Sequence, residues 1–291
     1  MSSLEAPRLA PPARPIDDRG WDKIDKQPVQ TQDTPFVTGN GDGNAVDPND
    51  VRQNGYGSCG VMSTLEAIAQ QDPSVIQDMI QDNGDGTYTV TFQDRVSVFG
   101  QDIWVPREVT VSGPFGGGAA HPSGDVNSQG EQEIWPSIIE AAYAQAYKPN
   151  DPTYTPNPNV PGSGGVFPSD AMEHILGARA TTAAPGAVSF SQMEQMLDGG
   201  QAVVAWTGDS KGFTPQQQAL ANQYNVQGGH AYAVSDVIPA GTTYTDPNTG
   251  QQAVAAVDTV VLDNPWGNQD VVMPYSDYQA MYAQVSNTPT H

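Results

Sequence analysis

Apolar residues recur at helical spacing in a few short stretches of this chain. Val61, Met62, Leu65, Ile68 and Ala69 share one face of a 3.6-residue period, so a helix begins near Cys59. Ser74 to Ile80 predicts a second short helix, stopped by Asn83-Gly84. The broadest stripe runs from Glu133 to Tyr147, through Ile134, Trp135, Ile138, Ile139, Ala142, Tyr143 and Ala146. Ser169 to Leu176 reads as a short helix with Gly177 as its stop. Ser191-x-x-Glu194 has the form of a capping box near the start of another helix, which ends at Gly199-Gly200. Asp277 to Gln284 predicts a last one. Strands are expected where β-branched residues alternate between turns: Thr87 to Phe92 after the Asp85-Gly86 turn, and further strands within Val96 to Val111. Gln201 to Thr207, His230 to Ile238 and Ala253 to Leu262 follow, the last two joined by a turn at Asp246 to Gly250.

This pattern divides the chain. Residues 1–45 hold scattered prolines and no periodicity, as in a flexible Pro-rich tail or a propeptide. Residues 46–182 read as a helix-rich region and residues 183–291 as a strand-rich one, with the change within Ala183-Ala184-Pro185. The fold class expected is α+β. Pro149 to Pro161 is a proline-rich loop, and no internal repeat is visible. Asn40 to Asn44 alternates oxygen ligands as calcium loops do but lacks a placed bidentate Glu, so it reads as a plain loop. Gly113 to Gly118 is not a phosphate loop, because no Lys-Ser/Thr follows it.

Composition narrows the function classes. Against 11 Lys and Arg stand 33 Asp and Glu, a net charge of −22 over 291 residues. Such a chain is a poor match for nucleic-acid backbones or anionic membranes. With 30 Gly and 25 Pro, a long helical bundle is not expected. Apolar runs reach only about five residues, far below the roughly 20 that span a bilayer. Met1 to Ile16 lacks an apolar core, so no ordinary secretory signal is expected; the protein would be cytoplasmic or exported by a specialised system. A single cysteine excludes an internal disulfide and a multi-cysteine zinc site.

That cysteine, Cys59, follows the flexible run Gly55-Tyr56-Gly57-Ser58 and opens a helix. A lone cysteine is ordinarily a small buried hydrophobe. A helix N-terminus, however, favours a thiolate, the form a nucleophile needs. A base must then come from His121, His174, His230 or His291. His121 lies in a glycine-rich loop, His174 within a short helix, and His291 at the end. His230 opens a strand after Gly228-Gly229 and is the best placed. Asn264 follows a strand and precedes Pro265-Trp266-Gly267; its amide would orient the imidazole while Trp266 shields that bond. Gln53, just upstream of Cys59, would donate to an oxyanion beside the Cys59 N–H.

Arg52 to Cys59 (RQNGYGSC), Gly228 to Val234 (GGHAYAV) and Asp263 to Gly267 (DNPWG) resemble the three active-site blocks of the calpain-like cysteine proteases, within the wider papain-like group. Ile134 to Tyr147 (IWPSIIEAAYAQAY) resembles the Trp-Pro helix of that family, and Gly164 to Gly177 (GGVFPSDAMEHILG) the segment after it. The resemblance implies a papain-like, two-lobed α+β fold. A helical N-terminal lobe would carry the cysteine, an antiparallel β-rich C-terminal lobe the histidine and asparagine, with the site in the cleft between. It further implies Cys59 as nucleophile, His230 as base, Asn264 as orienter and Gln53 as oxyanion donor, acting on a protein or peptide substrate.

The departures from that pattern are specific. Ser58 and Gly60 stand where family members commonly have Asp and Trp, and loss of the Trp is expected to open the cleft wall or alter substrate fit. The Asp246 to Gly250 hairpin between His230 and Asn264 reads as an insertion. No calcium loop matches, so calcium dependence is not carried over and no cofactor is implied. The chain resembles a bare protease core of bacterial type. Two rivals stay open at this stage: a transglutaminase-like thiol acyltransferase, for which Asp263 beside Asn264 is the alternative orienter, and a non-catalytic or autoinhibited binding module.

Overall fold

The computed structural model describes residues 33–38, 44–54, 56–115, 120, 126–147, 165–267 and 269–290. The expectations for most of the tail, for residues 40–43 of the Asn40–Asn44 loop, for Gly116 to Gly118, for the loop Pro149 to Pro161, and for His121 and His291 lie outside these residues.

The first half opens with α1 (Cys59–Gln71), ten of whose residues are buried, polar ones included. Buried hydroxyls need partners. Ser63 and Thr64 find theirs one turn back, donating to the carbonyls of Cys59 at 2.6 Å and Gly60 at 2.7 Å. Next, α2 (Pro73–Met79) is capped by Asp72, which accepts the Ser74 N–H at 3.1 Å. It stops one residue earlier than the pattern predicts, because Ile80 begins a strand. β1 (Ile80–Asp82), β2 (Thr87–Val98) and β3 (Gln101–Ser112) form an antiparallel sheet in that order. The region read as helical therefore carries a substantial sheet, with α3 (Trp135–Tyr147) and α4 (Pro168–Leu176) beside it. His174 belongs to the packing of this region: its ring stacks on Tyr147 at 3.8 Å, and its Nδ1 pairs with the Tyr143 hydroxyl at 2.8 Å.

The second half runs β4 (Thr181–Ala183), α5 (Phe190–Asp198), β5 (Gln201–Trp206), α6 (Pro215–Tyr224) and β6 (Ala231–Ile238), then β7 (Thr243–Thr245), β8 (Gln252–Val254), β9 (Thr259–Asp263), β10 (Val271–Pro274), α7 (Tyr275–Met281) and β11 (Gln284–Pro289). Six of these strands make an antiparallel sheet in the order β10-β9-β6-β5-β11-β4, while β7 and β8 pair only with each other. Three local expectations are corrected. The capping box is Ser189 with Gln192, two residues before the one read from sequence. The strand expected over Ala253 to Leu262 is two strands in different sheets, β8 and β9. The last helix ends at Met281, and Gln284 begins β11.

The sheet is buried on both faces, and strict alternation sorts its residues between two cores. Ala202, Val204, Ala231 and Ala233 join the core of Val61, Leu65, Ile68 and Trp135. Val203, Ala205, Tyr232 and Val234 join that of Met193, Leu262, Tyr278 and Met281. α1 lies on β5 and β6 on the first side, and α5 packs on the same strands from the other core. Small residues on the α1-facing side let the helix approach the strands closely. This packing brings the N-terminus of α1, where Cys59 lies, to the start of β6, where His230 lies.

Candidate active site

Cys59 is the first residue of α1 and is half-buried. Ser58 before it occupies the N-cap position, yet its hydroxyl makes no cap bond; it donates instead to Oε1 of the buried Glu140 on α3. The other carboxyl oxygen of Glu140 accepts the Ala120 N–H at 2.6 Å. The residue preceding the cysteine is thereby pinned to a different helix. Upstream, the Gln53 N–H donates to the Pro265 carbonyl at 2.6 Å, tying this loop to the Asn264–Gly267 turn. The Gln53 side chain donates through Nε2 to the Tyr56 carbonyl at 2.8 Å, while its Oε1 is buried with no partner among the described residues.

His230 sits immediately before β6. Its backbone is clamped to Thr207: the His230 N–H donates to Thr207 Oγ1, and the Thr207 N–H to the His230 carbonyl, each at 3.1 Å. The glycines before it are required by geometry. A Cβ on Gly228 would lie 2.5 Å from that of Ser210, and Gly229 adopts φ +68°, a left-handed conformation that glycine tolerates best. The imidazole Nε2 lies 3.0 Å from Asn264 Oδ1. That oxygen also accepts the Trp266 N–H at 3.2 Å, which identifies it as the acceptor end of the amide. Nε2 therefore carries the proton of the neutral ring, and Nδ1 is left as the basic nitrogen. Trp266 stacks over the ring at 4.1 Å, and Tyr232 meets it edge-on.

The sulfur is near this group. The Ala231 N–H, next to His230, opposes the rise that burial imposes on the Cys59 pKa. Burial dominates, so the thiol titrates above its ordinary range. Burial also lowers His230 to about 4 against the favourable bond to Asn264. Burial therefore disfavours the charged form of both groups, in opposition to the helix terminus, which favours the thiolate.

The structure pairs His230 with Asn264, ties Gln53 to the Pro265 carbonyl beside Asn264, and sets the Ala231 amide, next to His230, near Cys59. It also separates Asn264 from Asp263. The Asp263 carboxylate accepts the Ser235 hydroxyl at 2.8 Å, while Asn264 meets the imidazole. Three supporting contacts escaped sequence reasoning: the Thr207 clamp, the Ser58–Glu140 bond and the Ala231 amide. Glu140 alone left a signal, as a carboxylate set among the apolar residues of the α3 stripe.

Residues 27–290 match the family model described as calpain family cysteine protease. The chain belongs to the calpain family. No curated protein matches it. Membership of the calpain family supports a cysteine peptidase activity. It also gives the Gly60 departure a physical reading. A Cβ at this position would lie 1.9 Å from the Val166 carbonyl oxygen. Main chain around Val166 to Pro168 thus occupies the space directly beside Gly60, and a side chain there would require that segment to move. The hairpin between His230 and Asn264 is the β7–β8 pair, set apart from the larger sheet of this calpain-family chain. Among the described residues, no helix is long and apolar enough to cross a membrane.

Proposed function

We propose that this calpain-family chain is an endopeptidase that cleaves peptide bonds through a thioester, using Cys59, His230 and Asn264 on a papain-like, two-lobed plan. The observation that carries the reading is the pairing at the start of β6, where Asn264 holds one imidazole nitrogen of His230 at 3.0 Å. The Ala231 amide next to it acts on the Cys59 thiol. One hydrophobic core lies wholly within residues 183–291, while the other joins the helices of residues 46–182 to Ala202, Val204, Ala231 and Ala233 of the proposed second lobe.

In this mechanism Nδ1 of neutral His230 takes the thiol proton as Cys59 attacks the scissile carbonyl. The oxyanion forms against the Cys59 N–H, which as the first amide of a helix has no intrahelical partner, and against the second N–H of Gln53 Nε2. The imidazolium gives its proton to the leaving amine, and the thioester is then hydrolysed by water activated at the same nitrogen. Asn264 fixes the tautomer, and Trp266 keeps water from that bond. The substrate is a protein or peptide, with no nucleic acid or membrane involved. Asp263, engaged with Ser235, gives no support to an Asp-oriented acyltransferase.

Treatment with a thiol-directed epoxide followed by peptide mass mapping tests the reading. One adduct is expected, on Cys59, with loss of peptide hydrolysis in proportion to labelling. Full labelling with activity retained would rule the mechanism out.

A further inference from the structure

The β7–β8 hairpin does more than interrupt the chain between His230 and Asn264. It walls a cavity of about 520 Å³ against β6 and β9, lined among others by Ser235, Asp236, Ile238, Tyr244, Pro247 and Asp263. This volume lies within the range of small-molecule sites. We propose that the cavity binds an organic cation, an alkylammonium or guanidinium group, between Asp236, Asp263 and the Tyr244 ring.

Three observations carry this. First, the charged groups lining the cavity, Asp236 and Asp263, are both acidic and are backed by more acid. The register that pairs Val271 with Leu262 carries Asp270 opposite Asp263, so two like charges face each other across neighbouring strands. Second, an orphaned carboxyl stands behind them. α1 meets the sheet here through Gln70, whose side chain donates to the Ser235 carbonyl. One helical turn earlier, Glu66 is 3% exposed, and its Oε2 has no hydrogen-bond partner among the described residues. Burial raises the Glu66 pKa, with Asp263 and Asp270 adding to the rise. Asp263 is itself raised to about 6, by burial first and then by Asp270, Asp47 and Asp236. The neighbouring charges that raise both groups are carboxyls, and a cation beside Asp263 would relieve them.

Third, the lining also supplies apolar surface: Ile238, Pro247 and Val261 suit an alkyl stem, and the half-buried Tyr244 ring lines the same space, where an aromatic ring can attract a cation. Among the described residues, no group of three or more His, Cys, Asp or Glu is arranged to hold one. The cation is therefore organic, either a free diamine or guanidine, or a Lys or Arg side chain of a peptide.

Calorimetric titration of the full chain with agmatine tests this without reference to peptidase activity. Saturable single-site binding is expected. Asp236→Asn and Tyr244→Ala should each weaken it by about tenfold or more, and the neutral isostere pentylurea should bind at least about tenfold more weakly. Asp236 is exposed on β6, so its variant remains informative if Tyr244→Ala fails to fold. N-acetylarginine methylamide separates the sources: binding tighter than agmatine assigns a peptide side chain, and weaker binding a free amine. The proposal is overturned if agmatine does not bind, if Asp236→Asn binds it as the parent does, if pentylurea binds equally, or if calcium chloride alone gives a binding isotherm.

Discussion

Nε2 of His230 lies 3.0 Å from Oδ1 of Asn264, and the oxygen of that amide is fixed by a second donor, the Trp266 N–H. The ring is thus held in one tautomer and one orientation. Asn264→Ala should release it and lower kcat on a peptide substrate by about 10²-fold, at the lower end of what general acid–base catalysis contributes. Asp263→Asn should change kcat far less, since that carboxylate bonds to Ser235. Steady-state kinetics of the two variants decides between neighbouring residues, and equal losses would reject the assignment.

The protonation state of the resting pair follows from burial. The thiol of Cys59 is held above its ordinary pKa and the imidazole of His230 is brought to about 4, so both are neutral between those limits. A raised thiol pKa means that thiolate accumulates only as pH climbs through and beyond the usual cysteine range. The rate of iodoacetamide alkylation at Cys59 should therefore rise steadily with pH above neutrality. A rate that stays level down to mildly acidic pH would reveal an ion pair instead.

Glu66 makes a prediction about stability. It is buried on α1, one of its oxygens has no partner among the described residues, and its folded-state pKa lies well above that of an exposed carboxyl. The unfolded chain releases this proton first. The stability it contributes is therefore present below the ordinary carboxyl range and is lost as pH rises, by about 1.4 kcal/mol per pH unit until the folded form also ionises. Glu66→Gln removes that loss. Urea unfolding should show the variant close to the parent at pH 5 and more stable by more than about 1 kcal/mol at pH 8; the same difference at both pH values would contradict this.

Periodicity made α1 and α3 legible in the sequence, because both bury wide apolar stripes. α6 escaped because Leu220 and Ala221 are its only buried residues, so no stripe forms. Its available signal was local: Thr214 as cap, Pro215 after it, and Gln217 completing the box. β11 escaped for a related reason. Its polar sequence QVSNTP is stabilised by lying between β4 and β5, a relation between distant segments that no local window contains.

Much of the candidate site was legible for the opposite reason. Cysteine at a helix start, histidine after two glycines, and asparagine before Pro-Trp-Gly are local patterns with chemical meaning. What the sequence withheld was the environment. The Ser58–Glu140 bond joins residues on distant segments of the chain, and the burial that shifts Cys59 and His230 arises only in the folded chain. Position 60 likewise needs the fold, since only the placement of Val166 reveals why a glycine stands there.

The central claim is that a single sulfur performs the covalent step. Cys59→Ala removes that sulfur and little else, and the purified variant should fold as the parent does. Its rate of peptide-bond cleavage should fall to that of buffer alone, whereas cleavage at the parent rate would contradict the mechanism outright.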